Sequence, residues 1–276
     1  MTKNKPTELV TVDSSRVAAL RGASGVTESA GTKWPAKIKV NRSPLDKDNN
    51  QLPMGKFVIV HNGVSHYLTD VDMIIMEKGT QFMRFTNKGD YIGCTMIENS
   101  FNPEYKDSLG GTRLGRVSGM NFEDMTDAQK EVKFHFHMIG VADISKATDA
   151  SGVALYDTKV PLYVPAALQF KGKKSVLKQD EFAKLKKKNE SYFDFVTHLS
   201  KPFRSGDVDG MPYYDYVFER GDNVTLTNEL LDSIEAAKDL ISGENKRIYG
   251  LHLKAQHSED TTSDADYTDL DLKDVD

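Results

Sequence analysis

The amino-acid sequence predicts a β-rich α+β fold, in which many short strands form a barrel or a sandwich with added helices. Short segments of alternating apolar and polar residues, bounded by turn-forming residues, recur between residues 57 and 218. Only two segments have the apolar spacing of a substantial helix. The regular strand–helix–strand alternation that builds a parallel sheet is missing from the sequence.

In the first half of the core, the strongest signal is a hairpin. Asn62-Gly63 separates two apolar segments, and both residues tolerate the positive φ angles of a tight turn. Further strands are predicted on both sides of a second turn at residues 87–90. The predicted strands of this half are residues 57–60, 64–68, 71–76, 80–86 and 91–97.

In the second half, residues 131–141 alternate as a half-buried strand, with His135 and His137 on the face opposite Phe134 and Phe136. A lysine-rich helix is predicted at 176–188, and strands at 192–199 and 213–218. The clearest helix is 226–241, with Gly243 placed to end it. A last strand is predicted at 247–253.

Three regions follow from composition: a flexible N-terminal arm at 1–32, a β-rich core at 33–255 and a disordered acidic tail at 256–276. The tail has eight acidic residues against Lys273, a charge of about −7. Because the whole chain carries −5, residues 1–256 carry about +2. A mildly basic body with an acidic tail is typical of proteins that bind polyanions, although a purely solubilising tail has the same composition.

The composition also limits the class of protein. Apolar residues make up 38% of the 276 residues, and no apolar run approaches the roughly 20 residues that cross a bilayer. The polar first residues lack the apolar stretch of a signal peptide. Cys94 is the one cysteine, which excludes an intrachain disulfide and fits a reducing compartment.

Basic and aromatic residues are interleaved along the predicted strands and loops. Cations neutralise phosphates and aromatic rings stack on bases, the combination that single-stranded nucleic acid requires. The alternative is that the aromatics form core and the lysines are solvated. Residues 171–174 are predicted to be a basic loop. The predicted nucleic-acid-binding residues are Phe82, Arg84, Lys88, Tyr91, Lys171, Lys173, Lys174, Arg204 and Tyr214.

His135 and His137 are two apart on a predicted strand, so they point to the same side, as in some metal sites. No third ligand stands at a diagnostic spacing, and the preferred interpretation is two histidines on a solvent face. The sequence also lacks a phosphate-binding loop, a nucleophile elbow and a His-Glu-x-x-His motif. We therefore expect no metal, no cofactor and no catalytic residue.

Four stretches together resemble a family of bacteriophage proteins: residues 34–41, 52–57, 109–116, and Tyr213-Tyr214 followed by a helix. The resemblance is spread over residues 34–255. A β-rich core with an acidic C-terminal tail is also similar to phage and bacterial single-stranded DNA-binding proteins. That similarity implies an OB-fold-like barrel, single-stranded DNA as ligand, and location in the host cytoplasm. It further implies that the tail, with Asp266, Asp269, Asp271, Asp274 and Asp276, contacts replication, recombination or transcription proteins.

The sequence therefore leads to the hypothesis of a non-catalytic single-stranded DNA-binding protein acting in phage replication or recombination. Two alternatives remain open. A β-rich body with a flexible arm also suits a virion structural protein, such as a capsid decoration or internal protein. A metal-dependent enzyme that uses His135 and His137 is the other.

Overall fold

The computed structural model describes residues 35–46, 48–86, 88–99, 108, 121, 123–208 and 210–258. The predicted arm at 1–32, the stretch at 109–116 and the acidic residues from 259 onward lie outside this range. Within the described residues, no helix combines the length and apolar character needed to cross a membrane.

A curled, half-barrel sheet dominates the fold, as the prediction of a β-rich α+β protein required. The strands are β1 (Ala36–Val40), β2 (Phe57–His61), β3 (Val64–Leu68), β4 (Val71–Phe85), β5 (Tyr91–Cys94), β6 (Val132–Asp143), β7 (Tyr163–Lys171), β8 (Phe195–Leu199), β9 (Phe203–Val208), β10 (Met211–Asp215) and β11 (Phe218–Asn223). Nine belong to this sheet in the order β11-β8-β4-β6-β7-β1-β2-β3, with β5 beside the end of β4, while β9 and β10 form a separate ribbon. All pairs are antiparallel except β1 with β7.

In the described part of the chain, three α-helices accompany the strands: α1 (Asp127–Glu131), α2 (Lys173–Ala183) and α3 (Asn228–Ser258). The sheet buries apolar residues on both faces. On one face, which we call the α2 face, a core of Phe57, Phe136 and Leu168 includes Phe182 of α2. On the opposite face, the α3 face, Ile74, Ile139 and Ala167 pack against the first half of α3. Leu231 and Ile234 are the fully buried α3 contacts in that core.

The structure confirms the predicted hairpin and the predicted central strand. Asn62 and Gly63 have φ angles of 50° and 77°, and the turn joins β2 to β3. The strand predicted at 131–141 corresponds to β6. The strands predicted at 71–76 and 80–86 form one long strand, β4, because a bulge between Ile75 and Glu77 lets the pairing with β6 continue.

Several other predictions are wrong. Residues 171–174 are not a loop: Lys171 ends β7, and Gly172, with a φ of 62°, turns the chain directly into α2. Residues 213–218 divide between β10 and β11. Residues 192–194 form a 3₁₀ turn before β8. The strand at 247–253 belongs to α3, which passes through Gly243 and reaches Ser258.

The long α3 continues because its second half is anchored to the segment that follows β5. Asn245 accepts a hydrogen bond from the backbone N–H of Ile97 at 2.7 Å and donates one to its carbonyl at 2.7 Å. Ile248 and His252, at helical spacing from Asn245, are both buried. These tertiary contacts outweigh the tendency of a glycine at 243 to end a helix.

Candidate nucleic-acid interface

Four rings form a continuous ladder on the α3 face of the sheet. Tyr91 of β5 lies 5.9 Å from Phe85 at the end of β4, centroid to centroid, and Phe85 lies 6.1 Å from His135 of β6. His135 stacks on His137 at 6.2 Å. Because alternate residues of a strand share a face, both histidines lie on the same side of β6 as Ile139, which packs against α3. The ladder therefore continues the α3 face past its apolar core.

Lysines surround this ladder. The Lys171 Nζ lies 5.2 Å from the centre of the Phe85 ring, and the Lys171 side chain is exposed. Lys37 of β1 stands opposite Ala167 of β7, so it lies on the α3 face as well, and Lys39 follows two residues later. Burial and the neighbouring charge of Lys39 lower the pKa of Lys37. Lys88, in the turn between β4 and β5, is exposed.

The two histidines are buried, with 4% and 3% of their surface exposed. Burial, followed by the charges of His137, Lys171 and Lys37, lowers the pKa of His135 to about 3. Burial and the charge of Lys37 lower the pKa of His137 to about 4. Both rings are therefore neutral at physiological pH, and the cations around them make this part of the face electropositive.

The expectation that His135 and His137 lie on a solvent face is thus wrong. Their side of β6 is covered because the sheet is buried on both faces, so alternation of His with Phe does not mark an exposed side here. Among the described residues, no three His, Cys, Asp or Glu side chains converge as metal ligands.

Phe82, predicted to stack on a base, is buried instead. It is 5% exposed and belongs to a small core with Val132, its ring 5.5 Å from that of Phe134. Arg84, on the same side of β4, pairs with Glu131 through its Nε at 2.9 Å. The face of β4 that carries Phe82 and Arg84 therefore serves packing, and the opposite face carries Phe85.

The other predicted residues lie around the β9–β10 ribbon, away from the ladder. Lys173 is exposed at the start of α2, and Lys174 pairs with Asp215 at 3.0 Å. Arg204 forms a two-oxygen contact with Asp207, at 2.6 and 2.9 Å. The Tyr214 ring packs against Gly55, where an added Cβ would come within 2.8 Å of it.

The ribbon has a cation–aromatic contact of its own. The guanidinium carbon of Arg42 lies 4.6 Å, and the Lys174 Nζ 4.8 Å, from the centre of the Tyr213 ring. Asp215 neutralises part of the charge of Lys174, because the two side chains form an ion pair. Apart from Phe82 and Arg84, the predicted residues thus form two groups: Lys88, Tyr91 and Lys171 at the ladder, and Lys173, Lys174, Arg204 and Tyr214 at the ribbon.

Sequence reasoning missed Phe85, Lys37 and Lys39 as members of the ladder surface. The alternation Lys37-Ile38-Lys39 was a usable signal, since a buried Ile38 places both lysines on the other face. The position of Phe85 beside His135 depends on the register between β4 and β6, which places Gln81 opposite His135. That register is set by a long-range pairing and is not encoded locally.

The predicted tail residues, Asp266, Asp269, Asp271, Asp274 and Asp276, lie outside the described residues. Comparisons with protein-family models, with curated proteins and with solved structures gave no match. The resemblance to phage DNA-binding proteins therefore stays a prediction.

Proposed function

We propose that this protein binds single-stranded DNA, without catalysis, on the α3 face of its sheet. The observation that carries the proposal is the ladder of Tyr91, Phe85 and His135 with Lys171 over Phe85. Rings beside lysines that form no ion pair within the described residues suit a polyanion whose bases are unpaired.

The exposed end of the ladder suits the bases. Tyr91 is 37% exposed and Phe85 is partly buried, so both rings are held by the sheet while Tyr91 remains reachable. A base stacked on an aromatic side chain contributes roughly 1–3 kcal/mol, with little dependence on its identity. We therefore expect weak sequence preference.

The lysines suit the phosphates. Lys37, Lys39 and Lys171 follow the α3 face from β1 to β7, and Lys88 extends the positive charge to the β4–β5 turn. Neutralising phosphates releases counterions, so binding weakens as salt increases, with a log–log slope of about −0.7 for each phosphate contact on a single strand.

Further parts of the proposal derive from the sequence. An OB-fold-like character of the sheet, a role in phage replication or recombination in the host cytoplasm, and recruitment of partner proteins by the acidic tail all follow from the resemblance. The tail charge of about −7 supports competition with DNA for the basic face.

The test is a fluorescence-anisotropy titration of labelled oligo-dT at several salt concentrations. The triple variant Lys37→Ala, Lys39→Ala and Lys171→Ala should bind more weakly and reduce the magnitude of the salt slope by about 2. A matched control replaces three exposed lysines after α2: Lys184, Lys187 and Lys188. Equal losses in both variants would show charge attraction without a site. Lack of binding by the wild-type chain at low salt would contradict the proposal and favour a virion structural role.

A further inference from the structure

His135 carries a buried hydrogen-bond donor that is not satisfied by the residues the structure describes. Its Nδ1 lies 3.2 Å from Nε2 of Gln169. The same Gln169 nitrogen lies 3.5 Å from the sulfur of Met83, a weak acceptor, which identifies that nitrogen as the amide donor. Nδ1 of His135 therefore accepts a hydrogen bond.

The tautomer follows from this contact. A neutral imidazole has one proton, and because Nδ1 accepts, the proton is on Nε2. Nε2 is shielded from water and has no hydrogen-bond partner within the described part of the chain. An unsatisfied buried donor costs about 1–3 kcal/mol, so a group that accepts from it would be bound favourably.

The charges around Nε2 indicate which acceptor fits. Lys171 stands directly opposite His135 in the pairing of β6 with β7, and Lys37 is near enough to lower the pKa of both histidines. The third neighbour that acts on His135 is His137, whose ring is neutral at physiological pH, so both charged neighbours are lysines. A neutral N–H donor with lysines on the next two strands, β7 and β1, favours an anionic oxygen over a carbonyl.

We infer that His135 Nε2–H, Lys171 and Lys37 form an oxyanion subsite that takes one phosphodiester group of a bound strand. This inference rests on the proposed function, since it assigns the phosphate that follows the base stacked on Phe85. Because Nε2 is buried, the proposal requires that its cover opens when the strand binds, and the low dielectric there strengthens the new hydrogen bond.

The first test follows the His135 Nε2–H resonance of the ¹⁵N-labelled full chain. Three additions are compared: a dT 12-mer, the same 12-mer with neutral methylphosphonate at its central linkages, and inorganic phosphate. The subsite predicts that the dT 12-mer shifts the resonance and that the methylphosphonate 12-mer leaves it in place. The shielded imidazole is assigned through its contact with Phe85, so this readout needs no variant.

The second test measures affinity. His135→Phe keeps a ring in the ladder and removes the donor, and we expect binding of the dT 12-mer to weaken about 10-fold. Binding of the methylphosphonate 12-mer should change less than about 2-fold. The matched control is His61→Phe, at the β2–β3 turn, whose ring contacts Asn62 at 3.1 Å and lies outside the ladder; it should leave both affinities unchanged.

The outcomes separate the subsite from the proposed function. Binding of dT with an unmoved His135 resonance and an unchanged His135→Phe affinity would overturn the subsite and leave the proposed function standing. If dT does not bind, the proposed function fails. In that case, a shift of the His135 resonance with inorganic phosphate would support a site for free phosphate. An unmoved resonance would overturn the subsite as well.

Discussion

Lowering the pH should destabilise this protein through His135 and His137. Both imidazoles are buried and neutral in the folded state, with pKa values of about 3 and about 4. In the unfolded chain a histidine titrates near 6.5. Between these values the unfolded chain binds more protons than the folded one. The stabilisation is therefore complete above about pH 6.5 and decreases as the pH falls toward the folded pKa values.

The magnitude follows from the difference in proton binding. A pH of 5 is about 1.5 units below the pKa of each histidine in the unfolded chain and still above its pKa in the folded state. Each ring therefore lowers the free energy of unfolding by about 2 kcal/mol. The two together reduce the free energy of unfolding by about 4 kcal/mol between pH 7 and pH 5. That is a large fraction of the 5–15 kcal/mol typical of a folded domain.

Urea denaturation of the full chain at pH 7, 6 and 5 measures this loss. The double variant H135Q/H137Q cannot titrate at either position, so its free energy of unfolding should change with pH by about 4 kcal/mol less than that of the wild type. Other groups titrate equally in both proteins and cancel in the comparison. Parallel pH profiles for wild type and double variant would refute the reasoning, whatever their absolute stabilities.

Three substitutions test the packing that positions the site. Gly140→Ala should lower the free energy of unfolding in urea by about 3 kcal/mol, because its Cβ would lie 2.0 Å from a backbone carbonyl oxygen of β4. Gly250→Ala in α3, with open space around it, should raise the free energy of unfolding by about 0.5–1 kcal/mol. Equal effects of the two substitutions would contradict this. Lys178→Met, which removes the buried cation that Glu181 and Asp215 share, should cost about 2–4 kcal/mol, and a neutral result would show that the buried charge is not needed. Asn245→Ala should cost about 2–3 kcal/mol by orphaning the backbone of Ile97, and should increase hydrogen exchange there; unchanged exchange would argue against the anchor.

Local chemistry explains what could be predicted from the sequence. Asn62-Gly63 specifies a two-residue turn because both positions need positive φ, and the hairpin formed as expected. The alternation in β6 placed Phe136 and His135 on opposite faces correctly, because the period of a strand is a property of the chain itself.

Predictions failed where tertiary contacts decide between similar patterns. The segment at 247–253 alternates like a strand, yet Ile248 is also at helical spacing from Asn245 and Ile241, and contacts with the sheet favour the helix. Phe82 and Phe85 are both aromatic residues of one strand. Which of them is buried depends on what covers each face of β4, and that cannot be known before the sheet is assembled.

The same reason limits the candidate site. Tyr91, Lys88 and Lys171 were predicted from composition, but their grouping required the pairing of β4 with both β5 and β6. Lys173, Lys174 and Arg204 have the same composition signal, yet carboxylates lie beside two of them. Pairing of charges across elements separates a basic surface from a neutralised one, and a single sequence does not reveal it.

Photocrosslinking tests the central claim most directly. The wild-type full chain is mixed with an oligo-dT in which 5-iodouracil replaces single thymines, irradiated, and digested for mass spectrometry. The ladder predicts crosslinks at Tyr91 and Phe85, suppressed by excess unlabelled oligo-dT and by high salt. Crosslinks confined to Tyr213 and Tyr214 of the ribbon, or their complete absence at low salt, would contradict binding on the α3 face.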